Sequence, residues 1–304
     1  MRAFFIWLSE SRRLRAFAER SAAGQRLSHR FVAGESVEEA LAATRAVNDL
    51  GMSVSVDNLG ENVTNADEAR HSAALYREML DQIAARKLNA NVSLKLTHMG
   101  LDVDEALAHQ LVCGLVERAA RSGNFVRVDM EGSPYTQRTL DFVHQVHAQP
   151  GHAGVIGAVI QSYLYRSEQD VEALLAQRIR IRLCKGAYQE SAEIAFPKKA
   201  DSDANYVKLM KVLLKSGVYH GIATHDEKVI EATIAFARAE KIPADAFEFQ
   251  MLYGIRRDLQ QQLVREGWRM RVYIPFGTEW YPYFMRRLAE RPANVFFVLK
   301  NLFR

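Results

Sequence analysis

Arg286 and Arg287 are adjacent in the stretch WYPYFMRRLAE at residues 280–290, with Tyr283 three and four positions before them and Glu290 three and four after. On a helix, that spacing puts Tyr283, one of the arginines and Glu290 on one face. A guanidinium presents two parallel N–H donors that match the two oxygens of a carboxylate. Paired arginines beside aromatics therefore suit the capture of a small anion. The plain alternative is a solvated basic face held by Arg–Glu pairs of little energetic weight. The rest of the chain favours chemistry. Asp57 with Glu61, Lys95, Asp129 with Glu131, Gln161 with Tyr163, Lys185 with Tyr188, Thr224-His225-Asp226, Gln250 with Tyr253, and Tyr273 all end or follow short runs of strand-forming residues. Arg182 adds a further cation inside one such run. Solvated loops are polar anyway, so one such residue means little, but a polar or charged group at nearly every strand end reads as the lining of a site.

Those runs are the elements that must position the groups. Strands are predicted at 52–57, 91–96, 125–130, 154–161, 178–184, 219–224, 246–250 and 269–275. Helical spacing of apolar residues follows each of them. Ala69, Ala73, Tyr76 and Leu80 line one helix face, and Val207, Met210, Leu213 and Leu214 another, with Asn65 and Asp226 placed as N-caps. Eight strand–helix units in about 240 residues predict a closed parallel (βα)8 barrel of the α/β class. The rival, an open doubly wound sheet, carries G-x-G-x-x-G after its first strand. That motif is missing, and Gly151, Gly154 and Gly157 have the wrong spacing. Barrel enzymes collect reactive groups at the carboxyl ends of their strands, so these residues are predicted to face one mouth.

Residues 1–50 lie outside this rhythm and are predicted as an N-terminal helical arm, with residues 51–304 forming the catalytic barrel and a C-terminal helix over its active site. In the arm, Phe4, Trp7, Leu8, Leu14, Phe17 and Ala18 cluster on one side, away from most of Arg2, Arg12, Arg13 and Arg20. A second apolar cluster runs from Val295 to Leu299 with Leu302 and Phe303. Packing against the barrel is the first reading of both, and attachment to a membrane surface is the second.

The composition, 48% hydrophobic and 25% charged over 304 residues, is that of a globular protein. A net charge of +4 is too slight to point to nucleic acid, and none is predicted as a partner. Cys113 and Cys184 are too few for a disulfide framework or a structural zinc site, which implies the cytoplasm. No apolar run approaches the roughly 18 residues of a membrane span. No metal site, nucleophile elbow or P-loop is predicted. Lys95 or Lys185 at a strand end leaves open a Schiff-base enzyme of aldolase type.

In order along the chain, VDNLGE (56–61), SLKL (93–96), VDME (128–131), QSY (161–163), RLCKGAY (182–188), ATHD (223–226), EFQMLYG (248–254), VYIPFG (272–277) and YFMRRLAE (283–290) are similar to the signatures of proline dehydrogenases. The resemblance implies a flavoenzyme with FAD held noncovalently at the barrel mouth. Hydride would pass from C5 of L-proline to flavin N5, giving pyrroline-5-carboxylate. The electrons would go to a quinone, with peripheral contact at the inner face of the cell membrane. A separate pyrroline-5-carboxylate dehydrogenase would then oxidise the product, since no second catalytic domain is expected after the barrel. Carried over by motif, Arg286, Arg287 and Lys95 would hold the proline carboxylate. Asp129 would lie by substrate and flavin, and Tyr273, Tyr283, Tyr188 and Leu252 would wall the ring. Glu290 would neutralise part of the positive charge. Gln161, Arg182, Lys185, Gly186, Thr224 and His225 would contact the flavin, and Arg182 would close over the substrate as a mobile lid by pairing with Glu61. Cys184 departs from the valine of many relatives, and a buried cysteine behaves there as a small hydrophobe.

Overall fold

A computed structural model of the chain describes Ser21, residues 30–188 and 190–281, Tyr283 and Met285. Arg286, Arg287, Glu290, the arm residues 1–20 and the apolar cluster at 295–303 lie outside the described residues.

After α1 (Val37–Asn48), strands and helices alternate. The first half runs β1 (Ser53–Asn58), α2 (Ala66–Ala85), β2 (Ala90–Leu94), α3 (Glu105–Arg121), β3 (Val126–Val128), α4 (Ser133–His147), β4 (Ile156–Gln161) and α5 (Ser167–Ala176). The second half runs β5 (Arg180–Cys184), α6 (Lys199–Lys215), β6 (His220–Ala223), α7 (Glu227–Ala239), β7 (Phe247–Leu252), α8 (Arg257–Arg265) and β8 (Met270–Phe276). The strands form a closed barrel in sequence order, all parallel, and β1 pairs with β8 from Ser53↔Arg271 to Asn58↔Phe276. The predicted (βα)8 architecture is therefore the observed one.

The pattern of β1 shows how the sequence builds this wall. Val54 and Val56 are fully buried in the apolar core, while the alternate residues Ser55 and Asp57 bond to other side chains. Alternation of this kind sends successive side chains to opposite faces of a strand. The helix starts follow their caps. Asn65 accepts from the Glu68 N–H, Asp226 from the Lys228 N–H, and Ser36 with Glu39 forms a capping box. Each such cap is worth about 1 kcal/mol. In α2 the predicted face of Ala69, Ala73, Tyr76 and Leu80 is buried. In the described part of the region before residue 50, α1 packs on β1 and β8 and buries Ala40, Leu41 and Val47 in the barrel's own core.

The amino ends of the strands form a polar floor. Arg271 pairs with Glu248 at 2.5 Å and donates to the Val54 carbonyl at 2.7 Å and Asn91 Oδ1 at 2.8 Å. Arg127 donates to the carbonyls of Ala158 (2.9 Å) and Arg180 (2.6 Å). His220 Nδ1 accepts the Ile181 N–H at 3.0 Å. Burial, then the nearby Arg127 charge, pushes His220 down to about 3, so its ring is neutral.

Candidate active site

At the carboxyl ends of β1, β2, β3 and β8, side chains converge in a second buried polar layer. Lys95, just past β2, points its ammonium at Asp57 Oδ2, 3.4 Å away. Asp57 Oδ1 accepts from the Tyr76 hydroxyl at 3.1 Å. Asp129, just past β3, accepts the Tyr273 hydroxyl on Oδ2 (2.8 Å). On Oδ1 it accepts both the Ser93 hydroxyl and an Arg182 N–H, each at 2.7 Å. Arg182 also donates to Gln250 Oε1 (2.6 Å), Ser93 Oγ (3.1 Å) and Ser55 Oγ (3.1 Å), and its guanidinium lies 5.1 Å from the centre of the Tyr273 ring.

This layer is electrostatically tense. Burial raises Asp57 above the usual carboxylate range; the Lys95 charge opposes that and the Asp129 charge adds to it. Burial pulls the Lys95 ammonium down, but the charges of Asp57, Asp129 and Glu61 more than offset it, and the net shift is upward. Lys95 therefore stays protonated. Tyr273 is held well above the usual phenol range, first by burial and then by Asp129 and Asp57. It is a committed hydrogen-bond donor.

Around β4, β5 and β6 the mouth has a different character. Lys185 is gripped between Asp203 (2.6 Å) and Asp226 (2.7 Å), and the hydrogen bond from Lys185 holds Asp226 below its ordinary range. Gln161 donates to the Glu131 carbonyl at 3.0 Å and accepts the Ala187 N–H at 3.1 Å, which shapes the loop after β5. Gly186 has φ +129°, and a Cβ there would come within 2.1 Å of the Tyr163 ring. Only glycine suits both the conformation and the approach. Thr224 takes the Asp226 N–H on its hydroxyl, and His225 Nε2 takes the Leu252 N–H at 3.0 Å.

Most of the predicted residues are thus brought to one mouth. Tyr283 packs beside Trp280 and Tyr281 and is near enough to Tyr273 to act on its charge. Tyr188 acts likewise on Lys95, and Leu252 closes β7. In this structure the Arg182 guanidinium is buried on Asp129, and Glu61 exerts its charge on Lys95. The physical reason is depth, since Arg182 lies within β5, two residues before the strand ends at Cys184, and reaches side chains of β1, β2 and β7. The sequence places Asp57 among the lining groups and Tyr76 on a helix face without a specific role for either, and it does not single out Ser55 or Ser93. The signal available was position: Ser55 and Asp57 alternate with valines on β1, and so share the inner face. Among the described residues, no cluster of three or more His, Cys, Asp or Glu side chains could hold a metal.

The family model described as proline dehydrogenase matches residues 40–300. The chain belongs to the proline dehydrogenase family. It is 41% identical over 305 residues to proline dehydrogenase 1 of Bacillus subtilis (strain 168), covering 100% of this chain and 99% of that protein. It is 42% identical over 281 residues to the proline dehydrogenase of Deinococcus radiodurans, covering 91% of this chain and 90% of the other. Among solved structures, proline utilization A (PutA) from Bdellovibrio bacteriovorus, inactivated by N-propargylglycine, superposes with a TM-score of 0.83 at 29% identity and covers 89% of this chain. The chain spans 33% of that structure's length. A proline dehydrogenase is an oxidoreductase, and in this member the groups able to meet an amino acid's charges and ring stand together at the carboxyl ends of the barrel strands.

Proposed function

We propose that the chain oxidises L-proline to pyrroline-5-carboxylate with FAD at the barrel mouth, the first step of proline catabolism to glutamate. The observation that carries this reading is the buried layer in which Lys95, Asp57, Asp129, Tyr273 and Arg182 meet. It offers a fixed cation for a substrate carboxylate beside an aromatic wall and a guanidinium on the barrel interior.

The residues present fit a flavin nucleotide. Gly186 lets the loop after β5 close on the Tyr163 ring. Beside it stand an amide (Gln161), a hydroxyl (Thr224) and an imidazole (His225), with Lys185 and Arg182 held in place by Asp203, Asp226 and Asp129, a donor-rich set suited to a polar ring and its substituents. When bound, FAD would accept the hydride from proline C5.

The chain's own residues would do the rest. Lys95, with Arg286 and Arg287, would hold the proline carboxylate, while Tyr273, Tyr283, Leu252 and Tyr188 would confine the ring and set its orientation. Glu290 would offset part of that positive charge. Arg182, tied to Asp129, would supply a fixed positive charge where negative charge develops. Proline nitrogen must be neutral to release hydride, so the rate should rise with pH as that amine loses its proton. The proposed electron acceptor is a quinone, met through peripheral contact at the inner face of the cell membrane, and the proposed consumer of the product is a separate pyrroline-5-carboxylate dehydrogenase. No described helix is long and apolar enough to cross a membrane. A Schiff-base mechanism at Lys95 is disfavoured, because its carboxylate neighbours keep the amine protonated and a protonated amine is no nucleophile.

The test is direct. Purified protein should carry flavin absorbance that proline bleaches; a colourless protein that rejects added FAD and ignores proline would end this reading, and covalent trapping by borohydride with substrate would replace it.

A further inference from the structure

Tyr76 belongs to the buried face of α2, outside the barrel. Its hydroxyl ties that helix to the end of β1, lying 3.4 Å from the Asn58 carbonyl, while also reaching a charged side chain. It accepts the Asn58 N–H at 3.1 Å and donates to Asp57 Oδ1 at 3.1 Å. The other oxygen of that carboxylate faces the Lys95 ammonium at 3.4 Å. Both Asp57 oxygens are therefore engaged, one by a helix residue and one by the cation, and the carboxylate plane is set from two sides. We propose that Tyr76 is a positioning residue for substrate binding, which through Asp57 fixes where the Lys95 ammonium stands to receive the substrate carboxylate. The inference rests on the reading of Lys95 as a carboxylate ligand.

The surroundings favour this relay. Asp57 and Tyr76 are almost fully buried, so neither can trade its partner for water. The groups facing Asp57 are Tyr76 from α2, Lys95 after β2, Asp129 after β3 and Tyr273 from β8. Burial, then the Asp57 charge, holds Tyr76 well above the usual phenol range, so it keeps its proton and remains a donor. Without that hydroxyl, a buried carboxylate oxygen loses its donor, which costs more than the bond itself contributes. Asp57 must then turn or take up a proton, and either change loosens its hold on Lys95.

Tyr206 provides the internal control. It is equally buried, on α6, but its hydroxyl donates to the backbone carbonyls of Leu183 (3.1 Å) and Ala223 (3.2 Å). It fastens a helix to strand ends without touching a charged side chain.

The experiment compares Tyr76→Phe, Tyr206→Phe, Lys95→Met and the Tyr76→Phe/Lys95→Met double variant in the purified holoenzyme. It reads the unfolding midpoint, kcat and KM for proline, and inhibition constants for two unreactive five-membered rings, one with a carboxylate and one without. Tyr76→Phe should raise KM and the inhibition constant of the carboxylate ring by about fivefold, the scale of one hydrogen bond, with kcat and the other ring changed by less than about twofold. Tyr206→Phe should lower the midpoint comparably and leave both constants alone. Added to Lys95→Met, Tyr76→Phe should have no further effect on KM, since the group it positions is gone. Equal weakening of both rings by Tyr76→Phe, or the same KM effect with and without Lys95, overturns the relay and leaves a structural tyrosine. If Lys95→Met itself leaves KM unchanged, the reading of the site fails and takes the inference with it. If Lys95→Met raises KM and Tyr76→Phe does not, the inference fails alone. Should Tyr76→Phe not fold, Asp57→Asn tests the link on which the relay depends, and equal weakening of both rings, or of neither, in that variant overturns it.

Discussion

At the floor of the barrel, Arg127 and Arg271 send N–H groups to three backbone carbonyls, those of Ala158, Arg180 and Val54, whereas at the mouth Arg182 donates to four side chains. Both ends bury guanidinium, carboxylate and phenol groups. The difference is one of degree. Arg271 also holds the Glu248 and Asn91 side chains, but the floor guanidiniums include backbone carbonyls among their partners, whereas the four Arg182 bonds go to side chains. A strand carbonyl cannot move without the barrel moving, so the floor groups act as cement. Side chains bonded to side chains can be redistributed among partners when a ligand arrives, and the mouth buries its charges against one another, with Asp57 raised first by burial and Lys95 raised by its carboxylate neighbours. This gives a local reason for the general rule that the amino face of such barrels serves stability and the carboxyl face serves chemistry.

The largest expected effect falls on the floor. Arg271→Ala leaves Glu248 buried without its cation and should cost about 3–5 kcal/mol of stability, read from urea unfolding. A cost under about 1 kcal/mol would erase the distinction between the two ends. Next comes Lys95→Ala at the mouth, which should lower kcat/KM for proline by about a hundredfold while shifting the unfolding midpoint much less than Arg271→Ala does. The reverse ordering, with activity spared and stability lost, would make the mouth a second floor.

Acid gives a smaller effect with a defined sign. Folded His220 takes a proton only near about 3, while in the unfolded chain it does so near its usual 6.5. Between those values the unfolded state binds more protons, so stability falls as pH drops. The share of His220 should reach roughly 2 kcal/mol by pH 5. His98, pushed down to about 4 by burial and then the Lys95 charge, adds in the same direction at the mouth. Unfolding at pH 7 and pH 5 should show this loss, and a His220→Asn variant should show less of it. The smallest effect belongs to neither end. Asp67→Ala breaks a helix-surface pair with Arg70 whose side chains are 93% and 57% exposed, and should change stability by less than about 0.5 kcal/mol.

Much of this was legible before any coordinates. The strand–helix rhythm placed all eight strands, because apolar runs and N-caps such as Asn65 and Asp226 are local signals. Edges differ by one or two residues, and β3 shortens most, to Val126–Val128, so that Asp129 stands past the strand with its carboxylate bonded to Arg182. Depth inside the barrel was not legible. Periodicity shows that Arg182 faces inward but not how far below the rim it lies, and its pairing with Asp129 follows from that depth. Tyr76 was legible as an apolar-face residue, because spacing reports its ring; the destination of its hydroxyl depends on how α2 lies on the end of β1. Likewise, Lys185 looked like an available cation until the fold brought Asp203 and Asp226 to it from two different helices.

Arg182 touches Ser55 on β1, Ser93 on β2, Asp129 after β3 and Gln250 on β7 while belonging to β5. One planar group thus spans the diameter of the cylinder like a tie rod, and any ovalisation of the barrel must stretch or compress its bonds. A lysine, with a single point of attachment, could keep the charge but not the cross-barrel ties.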